Sequence, residues 1–301
     1  MEIVVPNPGT YVVAVSGGVD SMVLLHYLHT HAAESDEPYK LIVAHLDHGM
    51  RQDSVDDRRL VQAAAQQYGL PFIYDSAHLG AGASEDQARI ARYKFLEKVR
   101  AASEASAIIT AHHQDDALET AIHNMIRGTG RKGITALGTR NGVLRPFLLV
   151  PKHEIIAHAR EHQLEWHEDS TNVDTAYARN YIRHKILPRF EAEHKQQLHD
   201  IVVQLRSTNS ELDTELREHL AMHTVQHRLD RLWFMQLPHK VSCEIMAAWL
   251  RKEGISGYDS KTIERLVVAA KVATPGSRFD VLQRASMQVW IDNLALRGLE
   301  R

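Results

Sequence analysis

Residues 11–28 read YVVAVSGGVDSMVLLHYL, and this stretch decides the fold of the first part of the chain. A run rich in β-branched residues ends at Ser16, two glycines follow, and an apolar run with a helical rhythm begins near Asp20. This order predicts a buried strand, a tight turn and a helix. Glycine permits the backbone angles of such a turn, and the first N–H groups of a helix have no partner within it. The turn is therefore a candidate site for phosphate.

The side chains in this turn leave alternatives open. Ser16 and Ser21 add hydroxyl donors to the backbone N–H groups, whereas Asp20 is unexpected because a carboxylate repels phosphate. Asp20 can hold Mg²⁺ on a pyrophosphate, orient a reacting group, or serve only as a favourable acid at a helix N-terminus. Taken alone, Ser-Gly-Gly also fits an ordinary turn between a strand and a helix.

The first 165 or so residues alternate between short β-branched runs and longer helical patterns. Predicted strands lie at 11–15, 41–46, 72–75 and 107–111. Predicted helices lie at 20–31, 54–68, 85–102, 115–127 and 152–163. Ser84 and Gln87 form a capping-box pattern at the start of the third helix. The alternation predicts an α/β fold with a doubly wound parallel sheet, whose ligands bind at the carboxyl ends of the strands.

The pattern becomes helical and polar after residue 174, so we expect more than one domain. Residues 1–190 are expected to form the α/β domain and residues 191–220 a helical linker. Residues 221–301 are expected to form a small α+β domain. Helices are predicted there at 241–253 and 260–271, with a hairpin at 277–291.

The composition is typical of a globular protein with a sizeable core. Hydrophobic residues make up 44% of the 301 residues and charged residues 24%. No run approaches the ~18 apolar residues of a membrane helix, and MEIVVPNPGT does not resemble a signal peptide. The single cysteine, Cys243, excludes a disulfide framework within one chain. We therefore expect a cytoplasmic protein that does not bind membranes.

Charge is unevenly distributed although the net charge is only −3. No acidic residue occurs between Glu119 and Glu154, and this interval contains six basic residues: Arg127, Arg131, Lys132, Arg140, Arg145 and Lys152. The segment RGTGRKGITAL (127–137) combines three glycines with three of these cations, which suits contacts to RNA phosphate. A solvated loop surface is the alternative.

Polar residues follow the second and fourth predicted strands. His45, Asp47 and His48 follow the second strand, where a polar loop or a zinc site are alternatives. After the fourth strand, Asp116 and Glu119 would lie on one helix face. Asp116 can coordinate Mg²⁺, bind an ammonium group or accept a proton.

Two further helical patterns carry cations. Arg89, Arg92 and Tyr93 share one face of the third helix. Arg179, Asn180 and Arg183 lie in ARNYIRHKILP (178–188). Each group either faces solvent or faces phosphate.

The order of these motifs resembles the tRNA(Ile)-lysidine synthetase family, a branch of the PP-loop (N-type) ATP pyrophosphatases. The resemblance covers about residues 11–190, and the segment 274–291 is a weaker match. The motifs are SGGVDS, HLDHGMR, SEDQARIARY, AHHQDDALET, RGTGRKGITAL, RPFLLVPKHEI, EDSTN and RNYIRHKILP.

The resemblance implies a ligase that uses ATP and Mg²⁺ to join free L-lysine to the 2-position of the wobble cytidine of a CAU-anticodon isoleucine tRNA. ATP would adenylate the cytosine 2-oxygen and release pyrophosphate, and the lysine ε-amine would then displace AMP. The product, lysidine, pairs with adenosine. The sequence leaves the oligomeric state open, and a homodimer is compatible with it.

The resemblance also implies that residues 1–190 are the catalytic domain and that residues 221–301 contact tRNA, and it assigns roles to single residues. Catalytic roles fall on Asp20, Asp116 and Glu119. ATP contacts fall on Ser16, Gly17, Gly18, Val19, Asp20, Ser21 and His45, with Mg²⁺ at Asp20. Lysine contacts fall on Asp47, His112 and Asp116. Contacts to tRNA or phosphate fall on Arg92, Arg127, Arg131, Lys132, Arg179, Asn180 and Arg183.

Other functions fit parts of the same pattern. A tRNA 2-thiolation enzyme would need cysteines or an iron–sulfur cluster, which a single late cysteine does not supply. Synthetases that use ammonia would not need the basic segment. A metal-dependent phosphohydrolase could use His45, Asp47, His112 and Asp116, and a non-catalytic ATP-binding RNA module could use the loop alone.

Overall fold

A five-stranded parallel sheet forms the centre of the first unit of the chain. The computed structural model describes residues 3, 5–35, 39–49, 54–80, 82–138, 142–168, 178–282 and 285–298. The strands are β1 (Thr10–Ala14), β2 (Lys40–Asp47), β3 (Phe72–Ser76), β4 (Ala107–Ile109) and β5 (Val143–Leu144). Their order is β3-β2-β1-β4-β5, and all neighbours are parallel. The predicted doubly wound α/β sheet is confirmed.

Helices connect these strands and follow the last of them. They are α1 (Val19–Glu34), α2 (Ser54–Gln67), α3 (Glu85–Ala102), α4 (Gln114–Ile126), α5 (Arg131–Ile134), α6 (Lys152–Glu161) and α7 (Ala178–Tyr181). A π-helical turn follows at Ile182–Ile186. The predicted capping box of α3 is present, because Gln87 N donates to Ser84 Oγ (3.2 Å) and Ser84 N donates to Gln87 Oε1 (2.8 Å).

Successive side chains of β1 enter opposite faces of the sheet, as strand geometry requires. Val13 packs in a cluster with Leu25 of α1, Val61 of α2 and Ile155 of α6. Val12 packs on the other face with Leu96 of α3. Because both faces of β1 are covered, β1 needs apolar residues on both of them, which explains its unbroken run of apolar residues.

The chain divides into two compact units, residues 1–206 and 207–301. The helix α8 (Ala192–Met222) covers residues 192–220 of the segment 191–220 that is predicted as a helical linker. In the second unit follow β6 (Thr224–Val225), β7 (Arg228–Asp230), α9 (Arg231–Gln236), α10 (His239–Lys252), α11 (Ser260–Val272), β8 (Arg278–Leu282), β9 (Ala285–Val289) and β10 (Asn293–Arg297).

The second unit is α+β, with an antiparallel sheet in the order β6-β7-β10-β9-β8. Its two predicted helices and its hairpin are present, whereas β6, β7 and β10 were not foreseen. Arg231 is buried here, and its guanidinium donates to the carbonyls of Ala270, Ala273 and Trp290 at 2.6–2.9 Å. Across the described residues of both units, no helix is long and apolar enough to cross a membrane.

Candidate active site

The carboxyl ends of β1 and β4 lie side by side, and the chain connections leave these two strands in opposite directions along the sheet. Such a switch point creates a crevice in which ligands of open α/β sheets bind. The turn after β1 and the residues after β4 therefore meet at one edge. Every predicted catalytic residue lies in this region.

Residues 16–21, called here the 16–21 loop, form a compact turn at this edge. Ser16 N donates to Ser21 Oγ at 3.1 Å, the two serine hydroxyls lie 3.1 Å apart, and Ser21 Oγ donates to Gly18 O at 2.9 Å. Gly18 is the N-cap of α1 and supplies no side-chain cap. The N–H groups of the first turn thus lack the side-chain acceptor that usually satisfies them. This arrangement suits an anion.

Gly17 has a structural reason to be glycine. Its φ of +94° lies in the region that L residues with a Cβ avoid, and a Cβ there would lie 3.4 Å from Asp57 Cβ. Gly17 O also accepts from His167 N at 3.0 Å. His167 Nδ1 and Asp57 Oδ1 lie 2.8 Å apart, so α2 and the segment after α6 hold the loop from one side.

His45 is buried at the end of β2, with its side chain directed towards β1. Its Nδ1 lies 2.9 Å from Val15 O, so Nδ1 carries the hydrogen. Nε2 is then an acceptor, and it is buried without a hydrogen-bond partner among the described residues. Burial lowers the pKa of His45, which keeps this acceptor available at neutral pH.

Asp20, His113 and Asp116 follow one another across the crevice. Asp20 Oδ1 forms an ion pair with Lys152 Nζ, at the start of α6. His113 Nε2 lies 3.8 Å from Asp20 Oδ1 and 3.5 Å from Asp116 Oδ2. His113 is buried, and its backbone N–H donates to Asp116 Oδ2 at 3.0 Å. An imidazole thus lies between two carboxylates from different helices.

Arg183 joins the two acids of α4. Its Nε donates to Glu119 Oε1 at 2.5 Å and its Nη2 to Glu119 Oε2 at 2.8 Å, which is a bidentate pair. Nη2 also lies 3.3 Å from Asp116 Oδ1. Glu119 is only 3% exposed. The π-helical turn that carries Arg183 therefore docks on the face of α4 that bears both acids.

These contacts set the protonation of the acids. Burial raises the pKa of Asp116, but the imidazoles of His113 and His112 and the Arg183 guanidinium together lower it below the ordinary value. Burial raises the pKa of Glu119, and its hydrogen bonds with Arg183 oppose this rise. Asp116 is consequently a carboxylate at neutral pH.

His112 lies in a cationic environment. Its Nδ1 lies 2.9 Å from Thr110 Oγ1. Burial lowers the pKa of His112 to about 3; Asp116 opposes this, and Arg145, Arg92 and Arg89 reinforce it. Arg145 Nη2 also donates to Tyr93 Oη at 3.2 Å. The three arginines therefore make the electrostatic surroundings of His112 more positive, and Asp116 makes them more negative.

The residues after β2 lie in a turn of their own. Asp47 Oδ1 accepts from Gly49 N at 2.7 Å. His45, Asp47 and His48 are not among the groups of described ligand atoms that lie within 4.8 Å of one another. This geometry does not favour the zinc alternative at these residues. Arg51, and residues 169–172 of the EDSTN motif, lie outside the described residues.

The basic segment 127–137 is partly helical. Arg127 is the exposed C-cap of α4, and Arg131 and Lys132 are in α5, whose N-cap is Gly130. Asn124 Nδ2 donates to Gly133 O at 2.6 Å and ties α5 to α4. The half-buried Arg92 lies on α3, and Arg179 and Asn180 lie on α7.

Sequence reasoning did not single out Lys152, His113, Asp57 or His167 as site residues. Lys152 did carry a signal, because a cation in the first turn of a helix opposes the helix dipole unless an acid compensates it. His113 was within the quoted strand-end motif beside His112. No sequence signal connects Asp57 with His167, which are far apart in the chain.

Comparison with known proteins agrees with this geometry. The PP-loop domain family model matches residues 4–190. A tRNA(Ile)-lysidine synthase from Thermotoga sp. (strain RQ2) is 36% identical over 226 residues, which are 73% of this chain and 53% of that protein. The tRNA(Ile)-lysidine synthase of Solibacter usitatus (strain Ellin6076) is 38% identical, covering 60% of this chain and 41% of that protein. The chain thus spans about half the length of these curated relatives, or less.

Proposed function

Because the chain belongs to the PP-loop domain family, we propose that it is a tRNA(Ile)-lysidine synthetase, a ligase that converts ATP to AMP and pyrophosphate. Its substrates are free L-lysine and an isoleucine tRNA with a CAU anticodon. The observation that carries the proposal is the meeting of an uncapped phosphate turn with the row Asp20, His113 and Asp116 at one edge of the sheet. The names of the relatives support the same activity.

ATP fits the 16–21 loop. The loop offers N–H groups without a side-chain cap at the start of α1 and the hydroxyl groups of Ser16 and Ser21. The departing pyrophosphate would bind to these donors. His45 Nε2, a buried acceptor without a partner among the described residues, is suited to an exocyclic amine such as that of adenine.

Mg²⁺ fits Asp20. Both polar contacts of this carboxylate, with Lys152 and His113, involve Oδ1, and Oδ2 has no polar partner among the described residues. Carboxylate oxygen is a preferred Mg²⁺ ligand. The ion would supply charge neutralisation for the phosphates, while Lys152 holds the orientation of Asp20.

The charge balance around Asp116 suits the cationic ε-ammonium of lysine. In the ion-paired cluster itself, the two carboxyl groups of Asp116 and Glu119 face a single guanidinium group, that of Arg183. The lowered pKa of Asp116 keeps it ionised, but it also makes Asp116 a poor proton acceptor. We assign ammonium binding to Asp116 and a positioning role to Glu119, which Arg183 holds in the buried bidentate pair.

Lysine must lose a proton before its amine can attack. His113 Nε2 lies 3.5 Å from the Asp116 oxygen that would bind the ammonium, and imidazole is the commonest general base in enzymes. His113 is therefore our candidate acceptor. The reaction then forms the bond between the lysine nitrogen and cytosine C2, and AMP leaves with the cytosine 2-oxygen.

Basic residues on several elements are the candidates for contacts with tRNA. Arg127, Arg131 and Lys132 lie just after α4, at the end of that helix away from Asp116. The three arginines around His112 would face a phosphate near the reacting base. We keep Arg179 and Asn180 as RNA contacts and Asp47 as a substrate contact.

Lysine incorporation tests the proposal. We expect labelled lysine to enter a CAU-anticodon isoleucine tRNA transcript with equimolar release of AMP and pyrophosphate, and not to enter a methionine tRNA transcript, which shares the anticodon. Arg131→Gln and Lys132→Gln together should weaken RNA binding and reduce its salt dependence. Light scattering of the same sample determines whether a homodimer forms.

Two outcomes would refute the proposal. ATP cleavage that needs neither lysine nor tRNA, with no lysine in either transcript, would exclude the ligase. Metal-dependent phosphatase activity that survives Ser16→Ala would favour a phosphohydrolase instead.

A further inference from the structure

Three histidines from two helices converge beyond the candidate active site. His26 lies on α1, and His158 and His162 lie one turn apart on α6. One ring nitrogen from each histidine lies within 4.8 Å of the others. The ring centroids are 5.4 Å apart for His26 and His158, 4.8 Å for His26 and His162, and 4.2 Å for His158 and His162.

The surroundings of these rings prepare them to act as ligands. His26 Nδ1 lies 3.1 Å from Tyr68 Oη, an outer partner that fixes the orientation of the ring. His158 Nε2 is buried without a hydrogen-bond partner among the described residues. His162 is exposed and gives an ion access from solvent. Burial, together with His162 and His158, lowers the pKa of His26 to about 4, so His26 is uncharged at neutral pH.

We propose that His26, His158 and His162 form a binding site for a divalent transition-metal ion of the class that prefers imidazole nitrogen, such as Zn²⁺. Zinc–nitrogen bonds of about 2.0–2.1 Å place tetrahedral ligand atoms roughly 3.3 Å apart. In the structure the three ring nitrogens lie within 4.8 Å of one another. Side-chain rotations that move each nitrogen by about an ångström would bring them to the spacing of a tetrahedral site. Three imidazoles leave a fourth position for water.

The site would join the two helices that carry the charged pair of the candidate active site. Asp20 and Lys152 each precede a ligand, His26 and His158, by six residues, or about 9 Å along a helix. The buried side chains of Leu28 and Ile155 belong to the same core cluster. A bound ion would add a crosslink between α1 and α6. It would stabilise the helix that begins in the 16–21 loop whether or not the ligase function is correct.

A second group competes for the same ions. His239 Nε2 lies 3.3 Å from Glu264 Oε2 and 3.8 Å from Cys243 Sγ, in residues 207–301. His239 and Glu264 are exposed, and their contact is satisfied without an ion. We therefore expect weaker binding there, and the experiment must separate the two groups.

Metal titration of the full-length, metal-free chain tests the proposal. Co²⁺ is added first, because its visible absorption reports tetrahedral coordination, and Zn²⁺ is then added to displace it. We expect one tight equivalent in the wild type. His158→Gln and His162→Gln should each weaken it by more than about 100-fold, and Tyr68→Phe by about 10- to 100-fold, the range typical of an outer partner. Zn²⁺ should also raise the melting temperature of the wild type.

Two variants serve as controls. His153→Gln removes an exposed histidine from α6 and should leave the affinity unchanged, and His239→Gln should leave the tight equivalent intact. An anomalous-difference map of wild-type crystals soaked in Zn²⁺ locates the ion without any variant. Retention of the tight equivalent in both His158→Gln and His162→Gln would overturn the proposal. So would its loss in His239→Gln, no tight equivalent in the wild type, or an anomalous peak elsewhere alone.

Discussion

Replacing Arg183 by methionine is expected to lower the free energy of unfolding of residues 1–206 by about 3 kcal/mol. The guanidinium is bidentate to Glu119, whose side chain is 4% exposed, and it also contacts Asp116. Removing one partner of a buried ion pair costs about 3–5 kcal/mol because the other charge is left buried and uncompensated. We take the lower end because the Arg183 side chain is 35% exposed.

The loss of unfolding free energy caused by Arg183→Met should depend on pH. Burial raises the pKa of Glu119, and removing Arg183 removes the strongest opposing influence and leaves only the weaker one of His113. A raised folded-state pKa means that the folded state binds more protons than the unfolded state between the two pKa values, so stability falls as pH rises through this window. The deficit of Arg183→Met relative to wild type should therefore be largest at pH 7 and shrink as the pH approaches the unfolded-state value of about 4.3.

Hydrogen-exchange mass spectrometry in urea measures this effect for the first unit alone, on peptides from residues 107–134. Arg189→Met, which removes an exposed arginine of the same segment, is the matched control and should change stability by less than about 0.5 kcal/mol. The double variant Arg183→Met with Glu119→Gln should recover much of the loss, because the more deeply buried of the two acids is then uncharged and only Asp116, whose side chain is 21% exposed, has lost a partner. Strictly additive losses would contradict a coupled pair.

Asp116→Asn should raise the KM for lysine by about 30-fold or more. Loss of one partner of a buried charge pair costs about 2–5 kcal/mol, and 1.4 kcal/mol corresponds to tenfold. Asparagine keeps the size of the side chain and can still accept from His113 N, so the fold should survive. The KM for ATP should change little, because Asp116 is not part of the 16–21 loop.

Asp115→Asn is the matched control, because it removes a neighbouring acid from the first turn of the same helix. Its kinetics should stay near wild type. Equal effects of both variants on the KM for lysine would show that the substrate responds to the general negative charge of α4, and our assignment of Asp116 would be wrong. A fall in kcat with an unchanged KM would indicate that Asp116 acts in the chemical step instead.

The architecture of the first unit follows from local patterns in the sequence. Apolar residues on both faces of β1, such as Val12 and Val13, require helices on both sides of the sheet. The carboxyl ends of parallel strands lie at the same edge of the sheet. The 16–21 loop and Asp116, which follow β1 and β4, can therefore be placed at one edge before their packing is known. The short strand β5 escaped prediction because two residues carry too little periodicity.

The pairings within the site could not be predicted in the same way. Arg183 meets Glu119 only because a π-helical turn lies against α4, and the two residues are 64 positions apart. In the sequence, Arg183 lies one helical turn from Arg179, and this pattern fits an exposed surface helix as well as it fits a buried ion pair. The ion pair between Lys152 and Asp20 is a similar case. The sequence shows that a lysine in the first turn of a helix needs a compensating acid, but it does not show which acid that is. Long-range partners depend on tertiary packing.

A crystal structure with α,β-methylene ATP and Mg²⁺ tests the central claim most directly, because that analogue resists cleavage between the α and β phosphates. We expect phosphate oxygens within about 3.2 Å of the N–H groups at the start of α1, between Gly18 and Asp20 of the 16–21 loop. A nucleotide bound elsewhere, with this loop free of phosphate, would contradict the assignment of the active site.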